Sequence, residues 1–160
     1  MKRFVLRLIM LVFGIMLMSS CGKIKFDPVF DVNDEIVEIP AEGGDYYFWV
    51  NYRQTEETKF QPGNSYRVFK YRLMLGGSEA KVVVVKHPNE LKDIWPEDLE
   101  YPEDIPPYGS PVPFHVPANI NDKERDVMVE VSIDRNGSFD DGHDWGEWEV
   151  VFHGIQNCQK

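Results

Sequence analysis

The sequence predicts an all-β protein, an antiparallel sandwich of about seven short strands, and three observations lead there. Residues 45–52, 66–75 and 126–134 alternate with period two, as strands with one buried face do. Turn signals, among them Gly43-Gly44, Pro62-Gly63-Asn64, Gly76-Gly77 and Asn136-Gly137, punctuate the chain between them. No stretch of helical period follows residue 21, and eight of the eleven prolines fall between Pro88 and Pro117, a density that forbids a long helix there.

The first elements are not part of that sandwich. Lys2, Arg3 and Arg7 precede an apolar run of eleven residues from Leu8 to Met18, closed by Ser19 and Ser20 before Cys21. A basic flank, a short apolar core and small residues at the end form a secretory signal. The run is too short for a membrane span, which takes about 20 residues. Met18-Ser19-Ser20-Cys21 resembles the lipobox of bacterial lipoproteins, which implies lipidation of Cys21 and cleavage before it. Residues 1–20 are then the signal peptide, 21–29 a tether and 30–160 the folded domain. That resemblance implies an outer membrane lipoprotein. The acidic run that sends some such proteins to the cell surface is missing from Cys21-Gly22-Lys23-Ile24-Lys25, so the periplasmic face is expected.

Charge narrows the partners. Removing Lys2, Arg3 and Arg7 from a formal net charge of −10 leaves about −13. Such a surface repels phosphate backbones and excludes nucleic acid as a partner. It also offers no polybasic patch to anionic lipid, so the membrane is reached through the N-terminal lipid. A lipidated Cys21 cannot pair with Cys158, which is expected to have no role.

The domain is justified element by element. Ile36–Ile39 and Asp45–Tyr52 flank the Gly43-Gly44 turn and predict a hairpin, with Tyr46, Phe48, Val50 and Tyr52 on one face and Tyr47, Trp49 and Asn51 on the other. Thr55–Ser65 is polar and predicts a loop. Tyr66–Leu75 alternates Phe69, Tyr71 and Leu73 against Lys70, Arg72 and Met74. Val82–Val85 is a continuous β-branched run, which suits a strand buried on both faces. The proline-rich stretch is an extended, stiff connection, with a short strand at Val112–Val116 near its end. Asp126–Asp134 sets Val127, Val129, Val131 and Ile133 on one side, and Trp145–His153 closes the sheet with Trp148, Val150 and Phe152 expected on the inner face.

Several of these segments carry a family likeness. Glu38-Ile39-Pro40-Ala41-Glu42-Gly43-Gly44, Pro117-Ala118-Asn119, the run from Lys123-Glu124-Arg125 through Val131, and Gly154-Ile155-Gln156 resemble the BACON family, immunoglobulin-like modules of secreted and lipid-anchored proteins of Bacteroidetes. The resemblance covers residues 35–54 and 112–158 and has no counterpart for the proline-rich middle. It implies an immunoglobulin-like β-sandwich and, from the role proposed for that family, carbohydrate binding. The matched residues define turns, so no binding site is carried over.

Catalysis is not expected: four histidines are present, but no nucleophile-elbow sequence accompanies them, and no zinc-ligand spacing occurs. Asp140, Asp141 and Asp144 are calcium candidates in an acidic loop, yet the spacing from Asp134 misses an EF-hand, and a solvated loop without metal or cofactor is expected. A sugar site needs an exposed aromatic with polar groups at its rim, because sugar rings present apolar C–H faces between hydroxyls. Trp95, Tyr101 and Tyr108 in the proline-rich stretch, with Trp145 and Trp49, are the candidate ligand-binding residues. The expected function is a membrane-anchored, non-catalytic module binding a glycan or an envelope protein. The alternative is a structural spacer or assembly subunit with no ligand of its own.

Overall fold

A computed structural model describes residues 23–32, 35–58, 63–87, 89–93, 109–136 and 142–159. Nine strands appear among them: β1 (Lys23–Asp31), β2 (Val37–Ile39), β3 (Gly44–Thr58), β4 (Gly63–Tyr66), β5 (Phe69–Leu75), β6 (Ser78–Val85), β7 (Gly109–Val116), β8 (Arg125–Ile133) and β9 (Glu149–Gln156). One helical turn, α1 (Glu90–Asp93), stands at the start of the proline-rich stretch and buries Leu91. The strands form an all-β sandwich of two sheets, ordered β4-β1-β3-β7 and β2-β9-β8-β5-β6. Contacts divide the chain into a smaller unit of residues 1–26 and 54–65 and a larger one of 27–53 and 66–160. Within the smaller unit the Thr55 hydroxyl donates to the Lys25 carbonyl. The larger unit holds the core.

That core follows from alternation. Phe48 and Val50 of β3, Phe69, Tyr71 and Leu73 of β5, Val112, Phe114 and Val116 of β7, and Val127, Val129 and Val131 of β8 are all buried. Aromatic rings bridge the two layers: Phe114 meets Phe152 at 4.9 Å, Phe48 meets Tyr71 at 5.5 Å and Phe30 meets Phe69 at 5.1 Å, each near edge-to-face. The Tyr71 hydroxyl crosses between the sheets to donate to the Pro113 carbonyl, and burial pushes its pKa up to about 12.

The residues that carry the family likeness meet at one end of the sandwich. Fully buried Gln156 donates through Nε2 to the carbonyls of Pro40, Ala41 and Pro117, and its Oε1 accepts from Arg125 Nε. Asn119, also fully buried, donates to the carbonyls of Lys123 and Asn157, and its amide donates to Ala41. These side chains satisfy the backbone of loops that have no ladder partner, which a buried turn requires. Gly43 is obligatory there, since its φ is +82° and a Cβ would lie 2.0 Å from the Val116 carbonyl oxygen.

Several expectations are corrected. The stretch read as a tether is occupied from Lys23 by β1. Val37–Ile39 forms no hairpin with β3; it pairs in parallel with Gly154–Gln156, because the Pro40–Gly44 turn is tied to the ends of β7 and β9 and carries the chain to the other sheet. The β3–β7, β5–β6, β5–β8 and β8–β9 ladders are antiparallel, and β2–β9 is parallel. The polar stretch from Thr55 is strand up to Thr58 and again from Gly63. Tyr66–Leu75 is broken at Arg67 and Val68, where the chain passes from one sheet to the other. Val82–Val85 lies on the edge strand β6 and has one face on the core and one open to solvent: Val85 is buried, while Val82 and Val84 are exposed at 43% and 41%.

The last correction bears on function. A β-bulge between Val129 and Glu130 sets Phe152 opposite Val129 but Val150 opposite Glu130, with Val151 as the extra residue. Phe152 and Val151 are buried and Val150 is 41% exposed. A one-residue slip moves everything before it to the other face. Trp148 accordingly leaves the core for the outer face.

Candidate functional site

The outer face of the five-stranded sheet is built by β5. Its inner residues are taken by the core, so Lys70 and Arg72 point outward, directly across from Ser132 and Glu130 of β8. Residues 145–148, ahead of β9, are laid over them. Gly146 donates its amide to the Ile133 carbonyl and accepts the Ser132 hydroxyl on its own carbonyl at 2.8 Å, and Trp145 bridges to Asp134. Trp145 and Trp148 are thereby both set against Lys70. The Lys70 ammonium is 4.5 Å from the Trp145 ring centre and 4.7 Å from that of Trp148, while the Arg72 guanidinium is 4.2 Å from Trp148. Arg72 is also bonded to Glu130 at 2.5 Å and to Glu79 at 3.5 Å.

A second device holds Trp145. Asp134 is fully buried and accepts from the amides of Asn136 and Asp144 and from the His143 ring at 2.8 Å. Burial pushes its pKa up, but the bonds from His143, Asn136 and Asp144 outweigh burial and hold the carboxyl below its ordinary 3.8. The His143 ring lies 4.7 Å from that of Trp145 at a tilt of 33°. One buried carboxylate thus fixes the imidazole that backs the indole. Both oxygens of Asp134 are occupied by N–H donors, and among the described residues no group of three metal-ligating side chains occurs. Asp144 is exposed and contributes its amide to Asp134. Asp140 and Asp141 lie outside the described residues.

Trp49 sits elsewhere. It projects from the outer face of β3 with Tyr47, their rings 5.5 Å apart and nearly perpendicular. A cleft of about 470 Å³ beside them is lined by Asp31, Asp45, Phe48 and Phe152 among others. Trp49 and Trp145 thus belong to different sheets and form two aromatic patches. Trp95, Tyr101, Tyr108 and Cys21 lie outside the described residues. Cys158 carries a free, half-buried thiol.

Sequence reasoning missed Lys70, Arg72 and His143 as parts of the site and placed Trp148 in the core. The alternation of β5 did put Lys70 and Arg72 together opposite Phe69 and Tyr71, which was a usable signal. The bulge left none, because Trp148, Val150 and Phe152 alternate without a break. The chain matches no family model, no curated protein and no solved structure.

Proposed function

We propose that this chain is a non-catalytic binding module, held at the cell envelope by a lipid on Cys21, and that its ligand is a glycan taken at Trp148. The single observation behind this is the seating of that indole. Lys70 and Arg72 rise from one face of one strand and meet Trp148 at 4.7 and 4.2 Å, so they support it from the sheet side. Trp148 is half-buried, so part of the indole remains open to solvent. A ring pre-positioned in this way loses little side-chain freedom when a sugar stacks on it. Lys70, Arg72, Glu130 and Glu79 supply donors and acceptors at the rim for hydroxyls. The BACON resemblance, with its implied carbohydrate role, agrees with this reading.

The test is affinity electrophoresis in gels containing soluble glycans, comparing the wild type with Trp148→Ala and Trp49→Ala. Loss of retardation in Trp148→Ala alone, with the fold intact by circular dichroism, supports the reading. Loss in Trp49→Ala alone moves the site to the other sheet. Retardation by no glycan rejects a glycan ligand and leaves protein interaction and the spacer role.

A further inference from the structure

We infer that β6 is a dimerisation edge: it pairs antiparallel with β6 of a second copy of this chain, Val82 opposite the partner's Val84 and Val83 opposite the partner's Val83. β6 ends the five-stranded sheet, and the phase of its backbone fixes what it leaves open. At the two ends of β5 the Val68 carbonyl accepts from Asp134 and the Gly76 amide donates to Asp126, so the even-numbered residues of β5 direct their backbone groups to β8. The odd-numbered ones then bond β6, where Phe69, Tyr71 and Leu73 stand opposite Val85, Val83 and Lys81. Val82, Val84 and Lys86 are left with N–H and C=O directed off the sheet. The Lys86 amide bears this out, since the Glu90 carboxylate accepts it at 2.9 Å. No strand lies on that side of Val82 and Val84 among the described residues. The other sheet ends are blunted: β2 has three residues and β4 four, and β7 carries Pro111 and Pro113, which have no N–H to give. β6 has eight residues and no proline.

The open groups of β6 match a copy of themselves. With Val83 on the two-fold axis, Val82 of each copy faces Val84 of the other, and both pairs exchange N–H and C=O. The ladder stops where Glu90 already holds the Lys86 amide. The exposed valine side chains then meet across the strands as β-branched pairs. Charge selects the same arrangement. In a strongly acidic chain this edge is balanced, with Glu79 and Glu90 against Lys81 and Lys86. An antiparallel copy brings Glu79 to the partner's Lys86 and Lys81 to the partner's Glu90, at both ends of the ladder. A parallel copy sets like charge beside like. Val82 and Val84 stand opposite Arg72 and Lys70 on the outer face, so this register keeps the outer faces of the two copies on one side of a continuous sheet.

Analytical ultracentrifugation of the chain begun at Gly22, so that no lipid drives association, tests this. One strand pair covers less than the about 1,600 Å² of a standard stable interface, so the expected dimer is weak, with the mass climbing from monomer towards dimer between about 10 μM and 1 mM. Val84→Pro removes an N–H directed off the edge and none of the ladder to β5, so it is expected to keep its circular dichroism and stay monomeric over that range. Glu79→Lys and Lys86→Glu each set like charges together at both ends and weaken the dimer about tenfold. An equal mixture of these two variants brings opposite charges together at both ends and associates as the wild type does, which also shows that both fold. That exchange decides the matter by itself if Val84→Pro unfolds. A wild type that stays monomeric at about 1 mM overturns the pairing of copies and leaves the edge to a strand of another protein. A dimer that survives Val84→Pro unchanged, or a mixture that associates no more tightly than its components, overturns the assignment to β6.

Discussion

Gln156→Leu tests whether the end of the sandwich is held by one buried amide. Leucine has nearly the volume of glutamine, so the exchange opens no cavity and isolates the hydrogen bonds. Two of these are well formed, Nε2 to Pro117 at 2.9 Å and Arg125 Nε to Oε1 at 2.8 Å; those to Pro40 and Ala41 are longer, at 3.3 Å. A neutral buried bond contributes about 1 kcal/mol and one to a charged group about 1.5 to 3. Arg125 keeps Pro117 as a partner through its other nitrogen and is partly reachable by water, which returns some of its share. The Pro40 and Ala41 carbonyls lose the Gln156 donor, although Pro40 retains the Gly43 amide and Ala41 the Asn119 amide. The balance is a loss of about 3 kcal/mol, or about 10 °C in Tm for a domain of this size. Urea unfolding of a chain begun at Gly22, followed by tryptophan fluorescence, reads it as a lower midpoint at unchanged slope. A loss below about 1 kcal/mol with the slope unchanged would refute the reasoning and show that the loops are held by their own backbone.

Asp134→Asn should flatten the acid limb of stability. The folded pKa of Asp134 is depressed, so its contribution is present above the unfolded value near 3.8 and is lost as pH falls through the lower folded value. Urea midpoints at pH 7, 4 and 3 fall more steeply in the wild type than in the variant, and parallel curves refute the assignment. Tyr71→Phe should cost about 1 kcal/mol, because its hydroxyl donates to Pro113 inside the core. Tyr52→Phe should be neutral or stabilising, since the buried Tyr52 hydroxyl has no hydrogen-bond partner among the described residues; a larger loss for Tyr52 than for Tyr71 contradicts both. Cells fed a clickable fatty acid should label the wild type and not Cys21→Ala, and equal labelling of the two removes the proposed anchor.

Much of the sandwich was legible because a strand with one buried face writes its period into the sequence. Val127, Val129 and Val131 show it, and so do Phe69, Tyr71 and Leu73; all six are buried where the alternation put them. The turns were legible for a related reason: Gly43, Gly76 and Gly77 adopt the positive φ that their residue type allows. Pairing was not legible in the same way. Val37–Ile39 and Asp45–Tyr52 look like neighbours in sequence, yet their ladder partners lie more than a hundred residues away on β9 and more than fifty away on β7. Nor could the valine run reveal that β6 is an edge, since β-branched residues suit either place.

By itself, then, the sequence determined the local conformations: which residues extend, which turn, and which side of each strand is apolar, because these depend on side-chain chemistry within a few residues. It also determined the candidate signal and the acidic charge, which are properties of composition. Tertiary structure alone decided which strands are neighbours, which one lies at an edge, and where one extra residue in β9 throws the register. That last choice turned Trp148 outward to meet Lys70 and Arg72 and so made the candidate site. A bulge is stable only in relation to its partner strand, here Val129 and Glu130 of β8, so its position is a property of the pair and not of the segment that carries it.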